Sequence, residues 1–207
     1  MKKTNTLNLV QLSLFAALIF LMAFTPFIGY IPLGFTRATI IHVPVIIGSI
    51  MLGPVRGGFL GFLFGLTSLI NNTVNPTATS FVFSPFYSLG DVSGNVLSLV
   101  ICFVPRILVG VVPHYIYKVL KKPLGQAPSL ILAGLGGSLT NTLLVMHMIL
   151  LFFGKAYAAA NQKAYETIYL FILSIIGING VPEAIVAAIL TLAICKALLS
   201  VEKKRNF

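Results

Sequence analysis

Three stretches of this chain, 7–29, 96–117 and 129–153, each run past twenty residues and together hold one formal charge, Arg106. A bilayer's hydrocarbon layer is about 30 Å thick, and a helix rising 1.5 Å per residue needs about 20 apolar residues to cross it. Soluble domains carry about 25% charged residues. Here 9% of the 207 residues are charged, 57% are hydrophobic, and the mean hydropathy is +1.00. The chain is too apolar to cover a water-facing surface, so it reads as an all-α integral membrane protein forming one domain over 1–207.

Three shorter apolar runs, 38–52, 54–70 and 181–199, bring the expected spans to six. Pro54 suits the first turn of the third. The stretch 162–177 is apolar too, and "GINGVP" (177–182) separates it from the last span. It is expected to form a short outer helix, the alternative being one long helix over 162–199. The N-terminus has the basic start and apolar core of a signal peptide. Its apolar run is long enough to span, so it reads as a retained first helix.

Lys and Arg number 14 against four acidic residues, for a net charge of +10. On the six-span arrangement ten of the basic residues, Arg56, Lys118, Lys121 and Lys196 among them, fall at one end. Arg37, Lys155 and Lys163 fall at the other. That asymmetry marks a cytoplasmic face and places both termini there; it explains the charge better than nucleic acid does. Cys102 and Cys195 sit in apolar runs with no metal-ligand or disulfide spacing.

Within "GPVRGGFLGFLFG" (53–65), Gly57, Gly61 and Gly65 recur every fourth residue. Helices in lipid associate by close approach at small residues, so this stripe is a groove for another helix. The first span offers Ser13, Ala16 and Ala17. These small surfaces serve either packing within the bundle or contact with a partner protein.

Arg106 is the residue hardest to place. At the bilayer centre an Arg costs at least roughly 2.5–3.5 kcal/mol, and such residues face an interior or a water-filled cavity. Pro105 beside it frees a backbone carbonyl. Glu183 and Asp91 are candidate counter-ions. Arg106 is thus a structural ion pair, an anion subsite, or a side chain that snorkels to the surface. Glu183 falls in the first turn of the last span, where the helix dipole alone favours an acid. Asn141 and Thr140 lie inside the fifth span, where they bond neighbouring helices or read a ligand's hydroxyls and amides. His42 and His147 read as packed residues. The outer segment 71–95 has no basic residue but contains Phe81, Phe83, Phe86 and Tyr87. Those aromatics argue for order, as an interfacial belt or as a lid over a site.

The chain has no GxxxxGK[ST], so it does not bind ATP through a P-loop. It lacks HExxH, GxSxG and paired carboxylates within a span, leaving an enzyme without catalytic groups; no catalytic residue and no metal site are expected. No repeat relates its halves, which weighs against repeat-built transporters. An autonomous ion-coupled transporter using Glu183 and Arg106 as a relay remains the alternative from the residues alone.

The blocks "TRATIIHVPVIIGSIMLGPVRGGFLGFLFGLTSLINN" (36–72), "VPRILVG" (104–110), "LTNTLLVM" (139–146) and "INGVPEAIVAAIL" (178–190) resemble the substrate-binding S components of energy-coupling factor (ECF) vitamin importers. Within that family the pattern is most similar to the pantothenate-specific members; riboflavin and folate binders share the architecture. The resemblance implies a six-helix bundle with vitamin bound near its outer end, no cofactor of its own, and ATP used by partner subunits. Those partners are a transmembrane scaffold and two ATP-binding subunits. The resemblance also implies that the S component topples in the membrane, and that small residues of the first span, often AxxxA, meet the scaffold. The strip Ser13, Ala16, Ala17 departs from AxxxA, and the glycine stripe is a second candidate for that contact. Arg106 suits pantothenate's carboxylate; Asn141, Asn179 and Thr140 suit its hydroxyls and amide; Glu183, Asp91 and Tyr87 complete the expected site.

Overall fold

The computed structural model describes residues 3–25, 29–32 and 37–205. Lys2 and residues 26–28, at the end of the first expected span, lie outside the described residues. Helix α1 (Lys3–Phe24) buries Phe15, Ile19 and Ala23, one stripe four residues apart, and exposes most of its remaining length. An antiparallel hairpin, β1 (Tyr30–Pro32) with β2 (Arg37–Thr39), pairs Tyr30 with Thr39. Then come α2 (His42–Leu52) and α3 (Pro54–Val74), joined through Gly53 at φ +90°. That left-handed turn lets two helices meet with one residue between them.

Beyond α3 the chain makes a 3₁₀ turn, Ser80–Val82, and a small hairpin, β3 (Ser88–Leu89) with β4 (Val92–Ser93). Asn95 then caps α4 (Val96–Val109) through a capping box with Ser98. Helices α5 (Val112–Leu124) and α6 (Gln126–Ala160) follow. The chain ends with a 3₁₀ turn (Tyr165–Thr167), α7 (Ile168–Ile175), a π turn (Ile176–Gly180) and α8 (Val181–Arg205).

The all-α membrane class holds. Among the described residues, four helical runs are long and apolar enough to cross a membrane: 6–24, 96–124, 126–160 and 165–201. The expected spans are redrawn in four places. Helix α2 has 11 residues, about 16 Å of rise, half a bilayer core. All of it but Met51 is buried, so it is a central post wrapped by its neighbours. The span expected over 96–117 bends at Gly110–Val111, because Pro113 has no N–H and its ring excludes a straight turn before it. The span expected over 129–153 continues to Ala160, kinked at Phe153. The break expected at 177–182 is a π turn, which joins α7 to α8 in one run. It widens the helix one turn ahead of Pro182, where the proline ring would otherwise meet the carbonyl four residues back.

The glycine stripe is filled from within. A Cβ at Gly57 would fall on the Gly110 carbonyl of the α4–α5 bend, and one at Gly61 on the Arg106 carbonyl. Helices α3 and α4 therefore touch backbone to backbone, and Cys102 donates its S–H to the Gly65 carbonyl at 3.3 Å across the same seam. The expectation that Gly57, Gly61 and Gly65 meet a partner is corrected here: α4 occupies the groove.

Two apolar clusters result. An inner one gathers Phe15, Ile46, Leu60, Phe64, Leu130 and Cys195. An outer one gathers Phe81, Ile101, Val145, Phe153, Ile168 and Ile172.

Candidate functional site

Between the two clusters runs a polar band. On α4, Ile101 belongs to the outer cluster and Val109 to the inner, with Arg106 between them. On α6, Ala133 is inner and Val145 outer, with Asn141 and Thr142 between. On the last helical run, Ile175 is outer and Ala187 inner, with Asn179 and Glu183 between. Hydropathy alone places none of these polar groups at one level; the packing of α4, α6 and α8 does.

Arg106 is 7% exposed. Pro105 lacks the N–H that would have bonded the Ile101 carbonyl four residues back. The Arg106 side chain takes its place, Nη1 donating to the Ile101 oxygen at 2.8 Å. One of the guanidinium's five N–H donors therefore mends the helix that carries it. Its central carbon lies 5.0 Å from the centroid of the Phe83 ring and 5.8 Å from that of Phe64. The Glu183 carboxylate lies within electrostatic reach of it.

Glu183, in the first turn of α8, is half-buried and accepts the Thr39 backbone N–H on Oε1 at 2.6 Å. It thereby ties β2 to the band. The His42 ring is buried at the start of α2 beside the Thr39 backbone. Asn179 is buried in the π turn. Its neighbour Gly180 packs so close to Thr142 that a Cβ there would meet the threonine methyl at 2.8 Å. Asn141 is half-buried, and its Oδ1 is buried with no hydrogen-bond partner among the described residues. Thr140 spends its hydroxyl proton within its own helix, on the Gly136 carbonyl at 2.6 Å, so it has only acceptor capacity left for a ligand.

The segment between α3 and α4 is ordered, as its aromatics suggested, but not uniformly. Phe81 is fully buried, its ring edge-on to Phe153 at 5.8 Å, while Phe86 is exposed. Tyr87 is half-buried against the outer cluster. Asp91 stands exposed beyond Gly90 at the tip of the β3–β4 turn. A turn tip in solvent is a poor place from which to neutralise a buried guanidinium, so of the two acids Glu183 is the one within electrostatic reach of Arg106. On α1, Ser13 and Ala17 are exposed and Ala16 is half-buried against the inner cluster. Two of the three small residues expected to meet a partner therefore lie on an open face.

The family of ECF transporter substrate-specific components matches this chain over residues 7–195. The chain belongs to that family. The substrate-specific component described here is 40% identical to a protein of Lactococcus lactis subsp. cremoris named "Pantothenic acid transporter PanT", over all of this chain and 99% of the relative. It is 30% identical to "Pantothenate transporter PanT" of Leuconostoc mesenteroides subsp. mesenteroides, over 99% of this chain and 98% of the relative.

Three contacts of this substrate-specific component carried no signal in its sequence. Phe83 meets Arg106 from a loop more than twenty residues upstream, and Phe64 meets it from α3. Thr39 reaches Glu183 through its backbone, across 144 residues.

Proposed function

We propose that this chain captures pantothenate at the outer end of the bundle and presents it, by docking, to a membrane scaffold driven by two ATP-binding subunits. The observation that carries the reading is Arg106, held between the two apolar clusters at the level of Asn141, Asn179 and Glu183. Pantothenate is a small anion bearing hydroxyls and an amide. The guanidinium meets its carboxylate through a charge-assisted contact, short and geometrically selective. Asn141, whose Oδ1 has no hydrogen-bond partner among the described residues, and Asn179 serve the hydroxyls and amide. Glu183 holds β2 against the site. Two full-length relatives that bear the vitamin's name support the choice of cargo.

The same proposal makes six passages through the membrane, counting α2 with its hairpin and α3 beside the four long apolar runs. Both termini lie in the cytoplasm, by the ten-to-three division of basic residues. The open face of α1, with Ser13 and Ala17, meets the scaffold. The reading gives this chain no cofactor of its own and leaves ATP to the two ATP-binding subunits.

Native mass spectrometry of the purified protein tests the cargo. The expected result is a retained mass equal to pantothenate, lost on dilution and regained on adding the vitamin. A retained mass matching riboflavin or folate would replace the cargo and leave the family intact.

A further inference from the structure

Phe83 lies in a loop and is half-buried, yet hydrogen bonds hold the chain on both sides of it. Ahead of it, Ser80 donates its hydroxyl to Asn72 Oδ1 at 2.8 Å, and the Phe81 carbonyl accepts the Ser98 hydroxyl at 2.7 Å. Behind it, the Ser84 and Thr73 hydroxyls lie 2.7 Å apart. Phe81 itself is sunk in the outer cluster against Phe153. The segment is pinned to α3 on both sides of Phe83 and to α4 at Phe81. The ring between those pins lies over the guanidinium at 5.0 Å.

We propose that Phe83 is a specificity-determining residue: its ring covers the Arg106 guanidinium and makes it selective for a carboxylate over a neutral polar group of similar size. The proposal rests on the reading of Arg106 as the anion subsite. A ring quadrupole attracts the cation but has no lone pair aimed at its N–H groups, so it does not take the carboxylate's place. It does take the place of water. Two charges 4 Å apart attract about four times more strongly in a medium of effective dielectric 20 than in water. A neutral hydroxyl carries no charge to profit from that change. Removing water from the guanidinium therefore widens the gap between an acid and its alcohol. A ring that only packed the loop would affect the two ligands alike.

The test titrates purified wild type, Phe83→Ala and Phe83→Leu with two ligands. One is pantothenate; the other is its neutral alcohol, in which a hydroxymethyl group replaces the carboxylate. Wild type prefers the acid. Phe83→Ala loses about tenfold or more in affinity for the acid and little for the alcohol. Phe83→Leu, which fills the space without a quadrupole, falls between, and stands in if the alanine variant does not fold. Equal losses for both ligands, or a wild-type preference in either variant, overturn the proposal. A wild type that binds acid and alcohol alike overturns the Arg106 reading first, and this one with it.

Discussion

The α3–α4 seam and the polar band beside it are built on opposite rules. In the seam, Gly57 and Gly61 bring two backbones into contact, and nothing is left over for a third partner. In the band, α4, α6 and the last helical run bring together a guanidinium, a carboxylate and two amides at a depth where each is expensive to hold, and the Asn141 Oδ1 has no hydrogen-bond partner among the described residues. Helices in lipid gain nothing from hydrophobic burial against one another, so small residues hold the bundle together. Polar groups are not needed for that task. What the seam does for the fold, the band does for a ligand, and substitutions should separate the two.

The largest effect is expected in the seam. In Gly61→Leu the new side chain would be driven into the Arg106 carbonyl. Overpacking a close contact costs about 1–3 kcal/mol, and more when backbone must move. The variant should accumulate poorly or melt well below wild type. A thiol-reactive dye reads this directly, because Cys102 and Cys195 are both buried. A Gly61→Leu protein that melts like wild type but fails in transport would break the comparison and return the stripe to a partner contact.

A smaller and opposite effect is expected in the band. Asn141→Leu removes a buried oxygen that has no hydrogen-bond partner among the described residues, and an unmet polar atom costs about 1–3 kcal/mol. Melting should hold or rise while pantothenate binding weakens. A variant that melts lower and binds normally would move Asn141 from the ligand's account to the fold's.

Much of this was legible in the sequence, for local reasons. Apolar runs longer than twenty residues mark long helices wherever they occur. Pro105 leaves the Ile101 carbonyl open four residues back by covalent geometry alone, and Arg106 is the next residue. A glycine every fourth residue announces a close approach, though not which helix makes it. The failures were of two kinds. Gly-Ile-Asn-Gly before Pro182 has the punctuation of a break, and only packing against α6 reveals a π turn in its place. A run of 15 apolar residues at 38–52 looks the same whether it forms one long exposed helix or a short helix enclosed by its neighbours, and only the packing shows the 11-residue α2 buried everywhere but at Met51. Asp91 and Glu183 were equal candidates as acids near Arg106. A turn tip and a helix start separated them. Phe83 and Thr39 depend on contacts between elements far apart in the chain, and no periodicity encodes such a contact.

The central claim is that the Arg106 guanidinium meets the carboxylate of the cargo. The most direct measurement is the affinity of wild type and Arg106→Gln for pantothenate and for its neutral alcohol. Glutamine retains an N–H group that can serve the Ile101 carbonyl, so the fold is held while the charge is removed. A charged hydrogen bond is worth about 1.5–3 kcal/mol, on the order of 10- to 100-fold in affinity. The account predicts that wild type prefers the acid by about that factor and that Arg106→Gln binds acid and alcohol alike. A preference for the acid that survives in a folded Arg106→Gln protein would contradict it.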